Sequence, residues 1–345
     1  GRAIAGAGSA SPCSLELLAQ AARQPNASSL SAEQLASPSS FALPQVLEGA
    51  KRRRCAYVLM AYDAPGQTPE YIWRALALAR ALQRLSDYPT LLLTNATRFP
   101  DGTLVAGAFA KLGVQVLPVH AVPVPPSAEQ SLTPKLRAAY WKIQIWRLTQ
   151  FEKLLWLDVD GVPTRSLDRL FDLEPPYAQR DMWVCAGNES LQDRPSSSLL
   201  LIRPSEETYQ GLVRRAQTAP DAWWAEGDKR LLESYFRGLG WPLRLLSLNE
   251  AAFGKCLGSV PDLFAEAPGE LWNMPAFVHK SSARDECFYF HIAKQLRKVD
   301  GETVNVCHHH PLGAYWRDLL CQGLVLAGVK TPSTDAYCDD FLWHR

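Results

Sequence analysis

Long apolar runs are missing from this 345-residue chain. No stretch of about 18 consecutive apolar residues occurs, so nothing in it can cross a bilayer as a helix. An excess of one charge is missing too: 36 Lys and Arg stand against 35 Asp and Glu, a net charge of +1. So even a balance excludes the extended basic footprint of a nucleic-acid binder. It leaves room for a local basic pocket that takes a small phosphate-bearing ligand. The eight cysteines (Cys13, Cys55, Cys185, Cys256, Cys287, Cys307, Cys321 and Cys338) include no C-x-x-C pair, which removes the usual spacing of a structural zinc site.

What is present is a globular composition, 47% hydrophobic and 21% charged, sufficient for a full-sized core in one large α/β domain or two modest ones. The even cysteine count fits disulfides in a secretory compartment and fits buried thiols equally. Asn26-Ala27-Ser28, Asn95-Ala96-Thr97 and Asn188-Glu189-Ser190 match the glycosylation sequon and tilt the reading toward the secretory lumen, the Golgi included, over the cytoplasm. The chain opens on Gly1 rather than Met, so a preceding signal peptide or anchor is compatible with it. Any membrane attachment is expected through such a segment.

Residues 1–54 are rich in Ala, Ser and Pro and are expected to form an extension or stem, ending in the basic run Lys51–Arg54. Strands and helices then alternate. Ala56–Ala61 is a short apolar run suited to a buried parallel strand. Thr68-Pro69-Glu70 is a helix start, followed by Ile72, Ala75, Leu76, Ala79 and Leu82 on one face. Leu91–Leu93 and Val114–Leu117 read as strands, Lys135–Leu148 as a helix, and Lys153–Leu157 as a strong strand. This alternation predicts a mostly parallel sheet covered by helices on both faces, with ligands outside the carboxyl ends of its strands.

Asp158-Val159-Asp160 stands where the last of those strands ends, with Gly161 after it. Alternate residues of an extended segment point the same way, so the two carboxylates can share one ion. A hard divalent cation takes oxygen ligands and keeps positions open for phosphate oxygens. Two aspartates closing a strand are also common without any ion, so the surrounding frame decides. That frame runs Lys142-Ile-Gln-Ile-Trp-Arg-Leu-Thr-Gln-Phe-Glu-Lys-Leu-Leu-Trp-Leu-Asp-Val-Asp160, then Ser166-Leu-Asp-Arg-Leu-Phe171. It resembles the core of the glycogenin-like glycosyltransferases (family eight, retaining), K-L-x-x-W-x-L-T-x-Y-x-K-x-x-x-L-D-A-D followed by I-D-x-L-F. Further matches are Pro204-Ser205 with Thr208-Tyr209, Gly227-Asp228 where the family has G-D-Q, and His310-Pro311-Leu312-Gly313 for its H-x-x-G.

The resemblance covers roughly residues 55–320, leaving 321–345 as a C-terminal extension. It implies the GT-A nucleotide-diphospho-sugar transferase fold, a UDP-sugar donor, and manganese or magnesium. It assigns the metal to Asp158, Asp160 and His310, with His279 as a rival that also follows a short apolar strand. The donor falls to Met60, Tyr62, Tyr71, Lys142, Asp158, Ser197, Gly313 and Arg317, and the catalytic roles to Asp228, Lys229 and Lys142.

Three departures stand out. Ser196-Ser197-Ser198 replaces N-S-G, Lys229 replaces the Gln of G-D-Q, and Trp316 occupies the Lys position of the family's K-P-W, with Arg317 offered as the phosphate-binding substitute. They affect the sugar presented and the acceptor, a glycan, protein or small molecule expected along residues 250–345. They also motivate a second reading, a catalytically silent nucleotide-sugar or glycan binder. A nucleotidyltransferase ranks last, because Tyr62–Gly66 offers only one glycine for a phosphate loop.

Overall fold

The computed structural model describes residues 54–62, 70–122, 132–181, 194–218, 227–247, 249–253, 275–279, 296–299, 302–305, 311–330 and 337–338. The N-terminal extension, the cap expected at Thr68 and His310 lie outside the described residues. Strands β1 (Cys55–Ala61), β2 (Thr90–Thr94), β3 (Val114–Pro118), β4 (Lys153–Leu157), β6 (Tyr177–Arg180), β7 (Pro195–Ile202) and β8 (Arg244–Leu245) form a seven-stranded sheet in the order β3-β2-β1-β4-β7-β6-β8. It is mostly parallel, as expected, but β7 runs antiparallel to both β4 and β6.

Burial alternates along the strands and defines two cores. Cys55, Tyr57, Leu59 and Ala61 of β1 enter one, while Ala56, Val58 and Met60 enter the other. Helix α1 (Glu70–Leu85) covers the first face with α2 (Val105–Ala110) and the apolar C-terminal helix α6 (Pro311–Ala327). Helices α3 (Pro134–Trp141), α4 (Glu206–Gln217) and α5 (Asp228–Gly238) belong to the second face. The result is a helix–sheet–helix layering. Helix α6 is continuous across position 320 and contains Cys321, which is disulfide-bonded to Cys338. Cys55 is disulfide-bonded as well.

The helix expected over Lys135–Leu148 divides. Residues Pro134–Trp141 are α-helical, started by the Thr133 hydroxyl, which accepts the Leu136 N–H at 3.3 Å. From Lys142 to Arg147 the chain tightens into a 3₁₀ turn in which Lys142, Ile143, Gln144, Ile145 and Trp146 are all buried. No 3.6-residue stripe can hide five successive side chains, and the β-branched Ile143 and Ile145 weaken the α-helix here. The tightening sends Lys142 toward the end of β4.

Much of the sequence frame around the two aspartates proves to be scaffold. The buried Lys153 amine donates to the carbonyls of Phe171 and Leu173 at 2.8 and 2.9 Å. Asp168 accepts the hydroxyls of Tyr57 and Ser86, each at 2.6 Å. These bonds tie the short 3₁₀ turn Asp168–Asp172 beneath the sheet. A small second sheet then positions the site: β10 (Phe277–His279) lies between β5 (Gly161–Pro163), to which it is antiparallel, and β9 (Ala251–Phe253).

Candidate active site at the carboxyl edge of the sheet

The end of β4 is fixed by the Asp158 N–H, which donates to the Ser198 carbonyl at 2.8 Å. The chain then turns, the Gly161 N–H reaching back to the Asp158 carbonyl at 3.2 Å. A Cβ on Gly161 would run into the ring of Phe277, so only glycine lets β10 lie this close. The pairing sets His279 opposite Gly161. Its Nε2 stands 2.9 Å from Asp160 Oδ1 and 3.9 Å from Asp158 Oδ2. One ligand atom from each of Asp158, Asp160 and His279 lies within 4.8 Å of the others. Two carboxylates and an imidazole make a donor set suited to a divalent cation of the manganese kind, so the residues present fit one.

On the other side of Asp158 lies a buried lysine. Lys142 Nζ is 3.1 Å from Asp158 Oδ1, 2.8 Å from Asp228 Oδ2, and donates to the Ser197 carbonyl at 2.9 Å. Those three contacts match the three protons of the ammonium. The amine also sits 4.9 Å from the Trp156 ring centroid, while the Trp156 indole N–H donates to Asp158 Oδ1 at 2.8 Å. Burial acts to lower the Lys142 pKa, but the Asp158 and Asp228 carboxylates outweigh it and hold the amine above its ordinary value. Burial likewise raises the Asp158 carboxyl; Asp160 adds to that while Lys142 and His279 oppose it, and the net direction is upward.

Asp228 opens α5 behind Gly227, whose φ of 66° and ψ of −151° suit glycine alone. The Tyr140 hydroxyl donates to the Gly227 carbonyl at 3.0 Å and steadies this corner. The next residue, Lys229, forms an ion pair with the buried Asp181 at the end of β6. At the far side, past the end of β1, the Tyr62 and Tyr71 rings meet with centroids 4.6 Å apart. Burial raises both phenol pKa values, and the nearby Asp160 charge raises them further. Tyr62 follows β1, the parallel neighbour of β4, so both rings lie at the same carboxyl edge as the aspartates.

No family model matches the chain. Glycogenin of Neurospora crassa is 30% identical to it over 104 residues, which are 30% of this chain and 14% of that protein. The putative UDP-glucuronate:xylan alpha-glucuronosyltransferase 4 of Arabidopsis thaliana is 23% identical over 184 residues, 53% of this chain and 29% of that protein. The chain is a divergent relative of the glycogenin-like glycosyltransferases. Among solved structures, the glycosyltransferase GlyE of Streptococcus pneumoniae TIGR4 superposes with a TM-score of 0.47 at 17% identity, covering 81% of this chain and 64% of that one. The chain spans less than a third of either curated relative, 14% and 29% of their lengths.

The glycogenin-like residues fall into two groups. Asp158, Asp160, Lys142, Ser197, Asp228, Tyr62 and Tyr71 gather at one edge of the sheet, the first five joined through Lys142 and His279 and the two tyrosines joined to each other. Met60, the next-to-last residue of β1, lies close behind Tyr62 and is buried. Gly313 and Arg317 are placed elsewhere, in the first half of α6. That helix runs antiparallel to α1: Gln322 accepts from Arg80 at 3.1 and 2.9 Å, and the next residue, Gly323, lies against Leu76, one turn earlier on α1. Tyr71 and Arg84 lie 13 residues apart on α1, about 20 Å at helical rise. Trp316, at the family's Lys position, is buried in the core against Tyr337.

The sequence does not mark Asp181; it marks Ser196 and Ser198 only as departures from N-S-G, and it ranks His279 second to His310. The signal for His279 was its position after the short apolar run Ala276-Phe277-Val278. Nothing local marks Asp181, whose partner is 48 residues away.

Proposed function

We propose that this chain is a metal-dependent, retaining glycosyltransferase that moves a sugar from a UDP-sugar to an acceptor hydroxyl. The observation that carries the reading is the convergence of Asp158, Asp160 and His279 on one point at the carboxyl edge of the sheet, with Lys142 behind them. Asp158, Asp160 and His279 would hold manganese or magnesium, which when bound neutralises the diphosphate leaving group. Lys142 holds Asp158 in place and keeps a fixed positive charge on the donor side, where charge develops as the glycosidic bond breaks. Tyr62, Tyr71 and Met60 receive the nucleoside, and the Ser197 segment borders the sugar. Asp228 orients the acceptor hydroxyl or takes its proton. A UDP-sugar donor is supported by the name of the Arabidopsis relative, which specifies UDP-glucuronate.

Placement in the secretory lumen is supported by the Cys321–Cys338 disulfide and by Asn95, which heads a sequon on an exposed turn after β2. A second reading, a silent nucleotide-sugar binder, draws on one observation: Asp181 neutralises Lys229, the residue in place of the family's Gln. UDP release measured with Mn²⁺ across a panel of UDP-sugars separates the two. Turnover on one or more donors, lowered at least about a hundredfold by Asp160→Asn, is expected of the enzyme. UDP binding with no turnover on any donor favours the binder. Metal-dependent turnover undiminished in Asp160→Asn would sink the assignment.

A further inference from the structure

A row of hydroxyls runs from the His279 imidazole into the sheet. His279 turns Nε2 toward Asp160 Oδ1 at 2.9 Å and Nδ1 toward Ser198 Oγ at 3.3 Å. Ser198 Oγ lies 2.8 Å from Ser196 Oγ, which also accepts the Ser198 backbone N–H at 3.4 Å. The three residues are only 8%, 4% and 3% exposed, from His279 to Ser196. Ser196 and Ser198 alternate along β7, so their side chains share a face. Ser197, between them, gives its carbonyl to Lys142. In the glycogenin-like pattern Asn and Gly stand at the positions of Ser196 and Ser198, so the row is a feature of this chain.

Proton counting gives the row a direction. A neutral imidazole has one N–H and one lone pair, on different nitrogens. If Nε2 is to face a cation between the two carboxylates, the proton must remain on Nδ1, and a buried N–H needs an acceptor. Ser198 Oγ is in reach to accept it. The Ser198 hydroxyl proton can then pass to Ser196 Oγ, which completes the chain of donors.

We propose that Ser198, backed by Ser196, is a positioning residue that holds the Nδ1–H of His279 and so keeps the Nε2 lone pair aimed between Asp158 and Asp160. The inference rests on the metal reading given under Proposed function. Partners of this kind fix a ligand's tautomer and ring orientation, and losing one costs about 10- to 100-fold in metal affinity.

Mn²⁺ titration calorimetry on the full chain tests this, paired with thermal unfolding in the absence of metal. Ser198→Ala is expected to weaken Mn²⁺ binding about 10- to 100-fold while unfolding near the wild-type temperature. Ser196→Ala is expected to give a smaller loss, and Ser198→Thr, which keeps the acceptor, to restore binding. A folded Ser198→Ala that binds Mn²⁺ as tightly as wild type overturns the role, as does a larger loss from Ser196→Ala than from Ser198→Ala. Should Ser198→Ala fail to fold, the other two variants decide: unweakened binding in Ser196→Ala, or weakened binding in Ser198→Thr, overturns it. A wild-type chain that binds no Mn²⁺ removes the metal reading itself and this inference with it.

Discussion

The carboxyl edge of β4 and the layer formed by α1 and α6 are both buried and closely packed, yet they are built on opposite terms. At the edge, Lys142, Asp158, Asp160, Asp228 and His279 crowd together, linked by ion pairs and hydrogen bonds. In the layer, Leu76, Leu319, Leu320 and Leu324 are packed on apolar neighbours, Gly323 brings the helices together, and the Cys321–Cys338 disulfide ties the chain beyond α6 back to it. Apolar burial stabilises at roughly 25 cal/mol per Å². Buried charge has a large desolvation cost that pairing only partly offsets. The layer therefore supplies stability, and the edge spends some of it to hold charges where solvent would otherwise disperse them.

That contrast breaks most readily at Lys142. Replacing it with Ala leaves Asp158 and Asp228 facing each other without their shared cation. A loss of about 3–5 kcal/mol in denaturant unfolding is expected, and Lys142→Ala with Asp228→Asn should recover part of it. If Lys142→Ala unfolds at the wild-type midpoint, the lysine is not the keystone of the edge.

In the layer the largest effect is expected from the disulfide. Its ends are 17 residues apart in sequence, and opening it with Cys321→Ala and Cys338→Ala should lower stability by about 3 kcal/mol. Transfer activity per folded molecule should be unchanged. Activity lost in proportion beyond the unfolded fraction would show that the two regions are coupled.

Two glycines give the finest comparison. A Cβ at Gly323 would sit 3.2 Å from both Leu76 Cγ and the Leu76 carbonyl, so Gly323→Ala should cost about 1–3 kcal/mol with activity retained. Gly161→Ala meets the Phe277 ring instead and should displace β10, and His279 with it. Comparable destabilisation is expected, but with weaker Mn²⁺ binding and slower transfer. Equal activity in the two variants would contradict the placement of His279 by that strand pair.

The legible part of the site was the part written locally. Asp158 and Asp160 follow an apolar strand within a few residues, and Tyr71 follows a recognisable helix start. Lys153, Asp168 and Phe171 were equally visible in the frame, and the structure gives them scaffold roles beneath the sheet. The H-x-x-G spacing pointed to Gly313 and the missing K-P-W to Arg317, both of which α6 carries alongside the C-terminal half of α1. Short spacing patterns recur by chance, and an apolar helix packed in the core satisfies one as readily as a loop does.

By itself, then, the sequence determined the alternation of strands and helices, the carboxylate pair at the end of β4, and the choice of Lys142, eleven residues before that strand, as its partner on the donor side. Each depends on neighbours within about thirty residues, where periodicity and chain geometry constrain the outcome. Only the tertiary structure decided what meets the pair. His279 arrives from 119 residues away because β10 pairs antiparallel with β5, and Asp228 reaches Lys142 because α5 packs on the second face of the sheet. The hydroxyl row of Ser196 and Ser198 acquires a direction only once that imidazole lies against it. Strand pairing and sheet register are long-range choices made by the packing of whole faces, and no local pattern encodes them.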